Sequence, residues 1–156
     1  MFAPNSHFTL TAEVTAKLTV KGSKFIARGA PVETTEAAEN YVSAISKRFH
    51  DATHHCFAYK IGVGDRAPLR CSDAGEPSGT AGRSILQAIE TKKLTNLVVV
   101  VTRYFGGVKL GTGGLVRAYS SAAFAALNQA DIIPYYPKVL LSLRFPFPLT
   151  NLVTRP

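Results

Sequence analysis

One segment constrains the fold more than any other: residues 96–102 form a nearly continuous run of β-branched side chains. A strand that is buried on both faces has such a run instead of alternating polar and apolar residues. Five glycines follow within residues 106–114, and glycine adopts backbone conformations that other residues avoid. An alanine-rich stretch over residues 112–129 then predicts a helix. The sequence therefore predicts a central strand, a glycine-rich loop and a helix in direct succession.

The first half of the chain predicts a hairpin and a helix. Polar and apolar residues alternate over residues 8–20, as in a half-buried strand, and residues 25–32 predict a second strand after a turn. Residues 34–49 then predict a helix, because Ala38, Val42 and Ile45 recur at helical spacing.

Two more strands and a helix complete the predicted domain. Residues 53–61 and 69–72 predict strands, and residues 80–93 predict a loop that runs into a helix. The order of elements predicts one α+β domain over residues 8–134, a βα sandwich with its helices on one face of a mixed sheet.

The end of the chain differs from the rest. Residues 138–147 predict a strand and residues 148–155 the first turns of a helix. These two elements cannot bury a core by themselves. They either pack on the main domain or begin a second one.

Composition indicates the class of partner. The chain has 18 Lys and Arg against 10 Asp and Glu, a formal charge of +8, which favours polyanions such as RNA, acidic proteins or phosphorylated ligands. Basic surfaces that serve solubility are the alternative. The longest aliphatic run, Leu97–Val101, is too short to cross a bilayer, and residues 1–10 do not resemble a signal peptide. We therefore expect a cytoplasmic protein that does not contact membranes, with both cysteines reduced.

Two glycine-rich loops are candidate anion sites. Residues 79–83 and 111–114 each lead into a helix, whose N-terminal N–H groups and dipole attract phosphate. Arg103, Lys109 and Arg117 lie near the second loop in sequence and are suited to pairing phosphates. The alternative is that these glycines only permit tight turns and close packing.

Other side chains suggest catalysis, a metal site or base stacking. Asp73 and Glu76 are suited to acid–base chemistry or Mg²⁺ binding, or alternatively to an Asx-turn and a helix cap. A cluster around one predicted strand suggests zinc or a Cys56 nucleophile with His54 or His55 as base, but no second closely spaced ligand pair is present. His54 and Cys56 share one face of that strand and His55 lies on the other. The members of the cluster are His50, Asp51, His54, His55 and Cys56. Three aromatic residues near the basic ones are candidates for stacking on bases: Tyr104, Phe105 and Tyr119.

Four segments carry a resemblance to a known family. They are KGSKFIA (residues 21–27), DATHHCFAYKIG (51–62), SDAGEPSGTAGRSIL (72–86) and VVVVTRYFGGVKLGTGGLVRAYS (98–120). In order and rough spacing they resemble the conserved blocks of the IMPACT/YigZ family. The resemblance covers about residues 10–130.

The resemblance implies both a fold and a cellular context. The implied fold is similar to the superfamily of ribosomal-protein second domains, GHMP kinases and domain four of elongation factor G. It implies an IMPACT N-terminal-like domain over residues 1–134 and the incomplete start of a ferredoxin-like domain over residues 135–156. It also implies a link to translation, since eukaryotic relatives resemble regulators that restrain an amino-acid-starvation kinase.

The leading functional prediction is a non-catalytic protein that binds nucleic acid or the ribosome, as a translation regulator. The alternatives are a phosphate-handling enzyme and a regulator that binds an acidic protein. We predict no cofactor, no metal and no catalytic residue. The predicted phosphate- or nucleic-acid-binding residues are Asp73, Glu76, Thr80, Arg83, Arg103, Tyr104, Lys109, Thr112 and Arg117. Apart from Tyr104, they are expected to surround one cleft.

Overall fold

Seven strands and four α-helices lie within residues 6–155, the part of the chain that the computed structural model describes. The strands are β1 His7–Leu10, β2 Val14–Val20, β3 Ser23–Pro31, β4 His54–Lys60, β5 Leu69–Ser72, β6 Leu97–Tyr104 and β7 Ile132–Tyr135. The helices are α1 Thr35–Arg48, α2 Gly82–Thr91, α3 Gly111–Gln129 and α4 Thr150–Val153.

The β6 strand lies at the centre of a five-stranded sheet with the order β2-β3-β6-β4-β5. Its apolar run supplies side chains to two separate cores. Val99 and Val101 belong to one core, and Val98 and Val100 belong to the other. All four side chains are fully buried. The predicted strand with two buried faces is therefore confirmed.

The three long helices cover both faces of this sheet. Helices α2 and α3 pack together on one face, where Ile85, Ile89 and Leu127 join the larger core. Helix α1 packs on the other face through Val42 and Ile45.

The α+β class is confirmed, and two details of the predicted architecture are wrong. The helices do not all lie on one face, because α1 covers the side of β6 that carries Val98 and Val100. The sheet is also not mixed, because every strand pairing in it is antiparallel. The predicted element order over the sheet and its three long helices is correct.

The single strand predicted over residues 8–20 is two strands. β1 leaves the main sheet and pairs with β7 in a separate two-stranded sheet, from His7 opposite Tyr135 to Leu10 opposite Ile132. Exposed residues 11–13 separate β1 from β2. Because polar and apolar residues alternate without interruption over residues 8–20, the pattern gave no sign that β1 and β2 pair with different strands.

The strand predicted over residues 138–147 does not form. Residues 136–146 have no helix or strand, and Val139, Leu140 and Leu141 are exposed. Within the described residues this segment pairs with no other strand, so its backbone has no sheet to join. The predicted helix start is present as a 3₁₀ turn, Phe147–Leu149, followed by α4. The domain boundary near residue 134 stays a prediction.

No helix in residues 6–155 is both long enough and apolar enough to cross a membrane.

Two glycines hold the loop after β6 against the β2–β3 hairpin. A Cβ atom at Gly106 would lie 2.0 Å from the carbonyl carbon of Gly22 and 2.3 Å from the amide nitrogen of Ser23. Both are backbone atoms, so no side-chain movement can make room. The contact brings the glycine-rich loop onto the hairpin turn.

We predict that Gly106→Ala lowers the free energy of unfolding by about 2–3 kcal/mol, because the two backbones must separate. Gly113→Ala is the control. Its Cβ would meet only the flexible Arg117 side chain, at 3.3 Å, and it lies in α3, where alanine is favoured by up to about 1 kcal/mol. Urea denaturation of both variants measures the difference. Equal stabilities would contradict the close contact.

Candidate functional site

The loop that joins β5 to α2 is organised by the Asp73 carboxylate. Its Oδ2 atom accepts a hydrogen bond from the amide of Gly79 at 2.8 Å. Its Oδ1 atom accepts from the amides of Ala81 at 3.0 Å and Gly82 at 2.9 Å. These N–H groups belong to the loop that the sequence predicted to bind a phosphate. The chain's own carboxylate therefore occupies the candidate anion site at residues 79–83.

The hydrogen bonds to Asp73 change its acidity. Burial by itself would raise the pKa of this carboxyl group, but the three amide donors from Gly79, Gly82 and Ala81 outweigh it. The pKa of Asp73 therefore lies below its ordinary value. This carboxylate is ionised at neutral pH and acts as a cap for the start of α2, not as an acid or base.

Glu76 lies at the centre of a buried polar cluster. Its Oε1 atom accepts hydrogen bonds from Arg103 Nη1 at 2.6 Å and from the Tyr119 hydroxyl at 2.6 Å. Its Oε2 atom lies 3.8 Å from Nε2 of His54. The side chains of Glu76 and Arg103 are only 4% and 6% exposed. The cluster joins the loop after β5 to β4, β6 and α3.

Arg103 is held from several directions. Its Nη2 atom donates to the Ser23 hydroxyl at 3.3 Å, and its guanidinium lies 5.5 Å from the ring centres of both Phe25 and Phe105. Its Nε atom is buried and has no hydrogen-bond partner among residues 6–155. Arg103 is thus a buried structural cation, and it is not exposed to bind a phosphate.

Cys56 and His54 of β4 point into the same cluster. The Cys56 thiol donates to the carbonyl oxygen of Asp73 at 3.0 Å, and burial raises the pKa of this thiol to about 12. Such a thiol stays protonated at neutral pH and is a poor nucleophile. Nδ1 of His54 lies 2.9 Å from the carbonyl oxygen of Ala74, which can only accept, so Nδ1 carries the proton.

The geometry does not bring His54 and Cys56 into a metal site. No three His, Cys, Asp or Glu side chains in residues 6–155 are grouped closely enough to hold a metal ion. His55 points to the opposite face of the sheet, where it bonds Thr102 and the carbonyl of Phe49.

Two other predicted residues of the first loop differ in exposure. The Thr80 hydroxyl is buried and donates to the carbonyl oxygen of Pro77 at 2.6 Å, so it is committed within the loop. Arg83 is exposed in the first turn of α2.

The start of α3 is a second, exposed part of the predicted site. Lys109, Thr112 and Arg117 are all exposed. The Arg117 guanidinium lies along the first turn of α3, since a Cβ atom at Gly113 would be 3.3 Å from Arg117 Nη1. Arg117 and Lys21 both line a hollow of about 280 Å³ between the β2–β3 hairpin and α3. We call this hollow the helix hollow.

Tyr104 lies in a third place, on the face of the sheet opposite to α3. It lines a larger hollow of about 630 Å³ together with Lys17, Lys24 and Phe105. We call this hollow the sheet hollow. Tyr104 donates its hydroxyl to Asp51 Oδ1 at 3.1 Å.

The predicted residues therefore do not all line one cleft. Four of them already use their side chains in hydrogen bonds within the fold: Asp73, Glu76, Thr80 and Arg103. The exposed residues divide between Arg83 on α2, the group at the start of α3, and Tyr104 on the opposite face. Tyr119 is excluded as a stacking residue, because it is fully buried against Phe25 and Glu76.

The sequence analysis did not single out three lysines that line the two hollows: Lys17, Lys21 and Lys24. A usable signal was present, because Lys17 is a polar position in the alternating pattern of β2, and Lys24 follows the hairpin turn. The alternating pattern could not show where α1 packs. In the fold, α1 packs on β4 and β6 and leaves this end of the sheet uncovered.

Comparisons with known proteins agree on one family. Residues 21–127 match the family of the Impact N-terminal domain. The chain is 47% identical to the "IMPACT family member in pol 5'region" of Thermus thermophilus, over 83% of this chain and 68% of that protein. It is 41% identical to the IMPACT family member YigZ of Escherichia coli, over 76% of this chain and 58% of that protein.

A solved structure agrees with the fold. The crystal structure of a hypothetical protein superposes with a TM-score of 0.80 at 38% identity and covers 85% of this chain and 65% of that one. The chain thus spans between 58% and 68% of the length of these relatives.

We predict that Glu76→Gln lowers the free energy of unfolding by about 3–5 kcal/mol, because it leaves the Arg103 charge buried without a counter-charge. Glu39→Gln is the matched control, since Glu39 pairs with Arg70 at the surface. Exposed pairs contribute about 0–1 kcal/mol. Chemical denaturation near pH 7 measures both variants. A loss at Glu76 no larger than that at Glu39 would contradict the structural role of the buried pair.

A second prediction concerns acid stability. The folded-state pKa of Asp73 lies below its unfolded value of about 3.9. Its contribution to stability is therefore complete above about pH 4 and is lost as the pH falls through the lowered pKa. We expect Asp73→Asn to destabilise the protein at pH 7 and to differ less from wild type toward pH 2. Asp65→Asn, on an exposed turn, is the control. A gap between Asp73→Asn and wild type that stays constant from pH 7 to pH 2 would refute the assignment.

Proposed function

The chain belongs to the IMPACT family, and on that premise we propose that it is a non-catalytic binding protein for RNA or the ribosome. In this proposal it acts in the cytoplasm in the control of translation. Its contact surface is the basic region at the start of α3, formed by Lys21, Lys109 and Arg117.

One observation carries the proposal: cations gather at the positive end of a helix. Helix α3 begins without a side-chain cap and has no acidic residue in its first turn. The N-terminus of a helix carries about half a positive charge, so acidic groups stabilise it and cations do not. Lys109 lies two residues before the first residue of this helix, and Arg117 lies over its first turn.

Within residues 6–155, no carboxylate forms a salt bridge with the cations at the start of α3. Among residues 6–155, the ion pairs that Arg and Lys form are Arg103–Glu76 and Arg70–Glu39, and neither involves Lys21, Lys109 or Arg117. An arrangement of like charges of this kind is relieved by a bound anion, and the N–H groups of α3 are suited to a phosphate. The phosphate backbone of RNA supplies several such groups at regular spacing.

The alternative of a phosphate-handling enzyme has less support. It required Asp73 and Glu76 as metal ligands or bases. Asp73 accepts three amide hydrogen bonds, and Glu76 is buried against Arg103 and Tyr119. Either role would require breaking contacts that hold the loop. An acidic protein is the other candidate for the basic surface, and the experiment below separates it from RNA.

We predict that the affinity for single-stranded RNA falls steeply with salt. Three phosphate contacts give a slope of about −2 in a plot of log affinity against log salt, at roughly −0.7 per contact. Arg117→Gln should flatten this slope by about one contact and weaken binding similarly on different sequences, because phosphate contacts carry no sequence information. Filter binding over a series of salt concentrations measures this.

Arg66→Gln serves as the control, since it removes one exposed cation from the β4–β5 turn, outside both hollows. The same slope for the Arg66 and Arg117 variants would count against the α3 surface. Undetectable RNA binding by the wild type would refute the proposal and favour the acidic protein partner.

A further inference from the structure

The sheet hollow is a second basic surface, separated from the helix hollow by the β2–β3 hairpin. Gly22 in the hairpin turn lines the sheet hollow, and its neighbour Lys21 lines the helix hollow. A single strand that contacts both hollows would cross this turn. The two surfaces are therefore adjacent along one path over the protein.

Strand register builds the sheet hollow from side chains on one face. Thr19 lies opposite Lys24, and Lys24 lies opposite Tyr104, so these three residues form one row across β2, β3 and β6. Directly paired residues of antiparallel strands share a face, and adjacent strands are about 4.8 Å apart. Lys17, paired with Ile26, begins the next row.

Helix α1 leaves this end of the sheet open. It packs on β4 and β6 and covers Val98 and Val100, toward the start of β6. Tyr104 is the last residue of β6 and is partly exposed, and Phe105 beyond it is 47% exposed. Two aromatic rings therefore border the open surface beside two exposed lysines.

Two lysines supply the positive charge of this surface, and each of its two aromatic residues makes one hydrogen bond beside it. Lys17 and Lys24 line the hollow and are exposed. Asp51 accepts a hydrogen bond from the Tyr104 hydroxyl. The Phe105 amide donates to the Thr53 hydroxyl at 3.0 Å, which fixes the backbone that carries the second ring.

We propose that the sheet hollow binds unpaired bases of single-stranded RNA, with Tyr104 and Phe105 stacking on bases and Lys17 and Lys24 contacting phosphates. This inference rests on the proposed function and adds a substrate class to it. Proteins that bind single strands combine a positively charged groove with aromatic side chains on which bases stack. In a duplex the faces of the bases are covered by their neighbours, so ring stacking selects unpaired RNA. The volume of about 630 Å³ lies within the range of pockets that take small organic ligands, about 300–1,000 Å³.

The test compares one single-stranded oligonucleotide, carrying 2-aminopurine, with an RNA duplex of equal length. We expect the wild type to quench 2-aminopurine fluorescence. Tyr104→Leu should weaken single-strand binding roughly tenfold and abolish the quenching, because stacking on one ring is lost. Duplex affinity should stay unchanged. Lys24→Gln should flatten the salt slope of single-strand binding by about one contact.

Three further variants keep the test decisive. Tyr104→Phe retains the ring and loses only the bond to Asp51, so it should bind and quench like wild type. Phe105→Leu tests the second ring if the Tyr104→Leu protein is unfolded, and it should also weaken quenching. Tyr136→Leu removes an aromatic ring that is 73% exposed and lies outside both hollows, and it should have no effect.

The outcomes separate the two proposals. If Arg117→Gln weakens binding while the Tyr104 and Phe105 variants bind and quench like wild type, the stacking inference is overturned and the proposed function stands. If the wild type binds duplex and single strand equally and without quenching, the inference is likewise overturned. If the wild type binds no RNA, both proposals fall.

Discussion

The buried ion pair between Glu76 and Arg103 is the interaction on which the rest of this structure depends. Through it, the loop after β5 is fixed to the end of β6, and Tyr119 of α3 and Ser23 of β3 join the same network. Removing either charge would leave the other buried in a low-dielectric environment, which costs far more than a surface pair contributes. The pair therefore makes the two glycine-rich loops one structural unit.

Close backbone contacts complete this unit and explain several glycines without a ligand. Gly106 lies on Gly22, and a Cβ atom at Gly82 would lie 2.6 Å from the backbone nitrogen of Ser72. At these two positions the glycine is required by packing. Asp73 and Glu76 are likewise held in contacts within the fold, whereas Lys21, Lys109 and Arg117 beside them are exposed. This division gives the region a basic outer surface over a neutralised interior.

The two hollows on this basic surface differ in the side chains that line them. The helix hollow presents Lys21 and Arg117 near the positive end of α3, where, in the proposed function, a phosphate would relieve the repulsion between like charges. The sheet hollow presents lysines beside aromatic rings, where bases can stack. A protein that uses both would hold the backbone of an RNA strand on one side of the hairpin and its bases on the other. The phosphate-handling enzyme considered as an alternative would need Asp73 and Glu76, and both carboxylates already accept hydrogen bonds within the fold.

The sequence by itself determined the order of the main-sheet strands and the long helices, the burial of residues 97–101 on both faces and the excess of positive charge, since these depend on local periodicity and composition. For Asp73 it offered an Asx-turn as the alternative to a catalytic role, but it assigned the helix cap to Glu76, whereas Asp73 accepts the N–H groups at the start of α2. Only the tertiary structure decided which face α1 covers, because a strand buried on both sides has the same apolar run whichever helix packs on each side. It alone decided that Glu76 and Arg103, 27 residues apart, neutralise each other, and that Lys24 and Tyr104 stand side by side. Contacts between residues far apart in sequence produce no periodic pattern in either segment. The candidate site could therefore be described only from the folded chain.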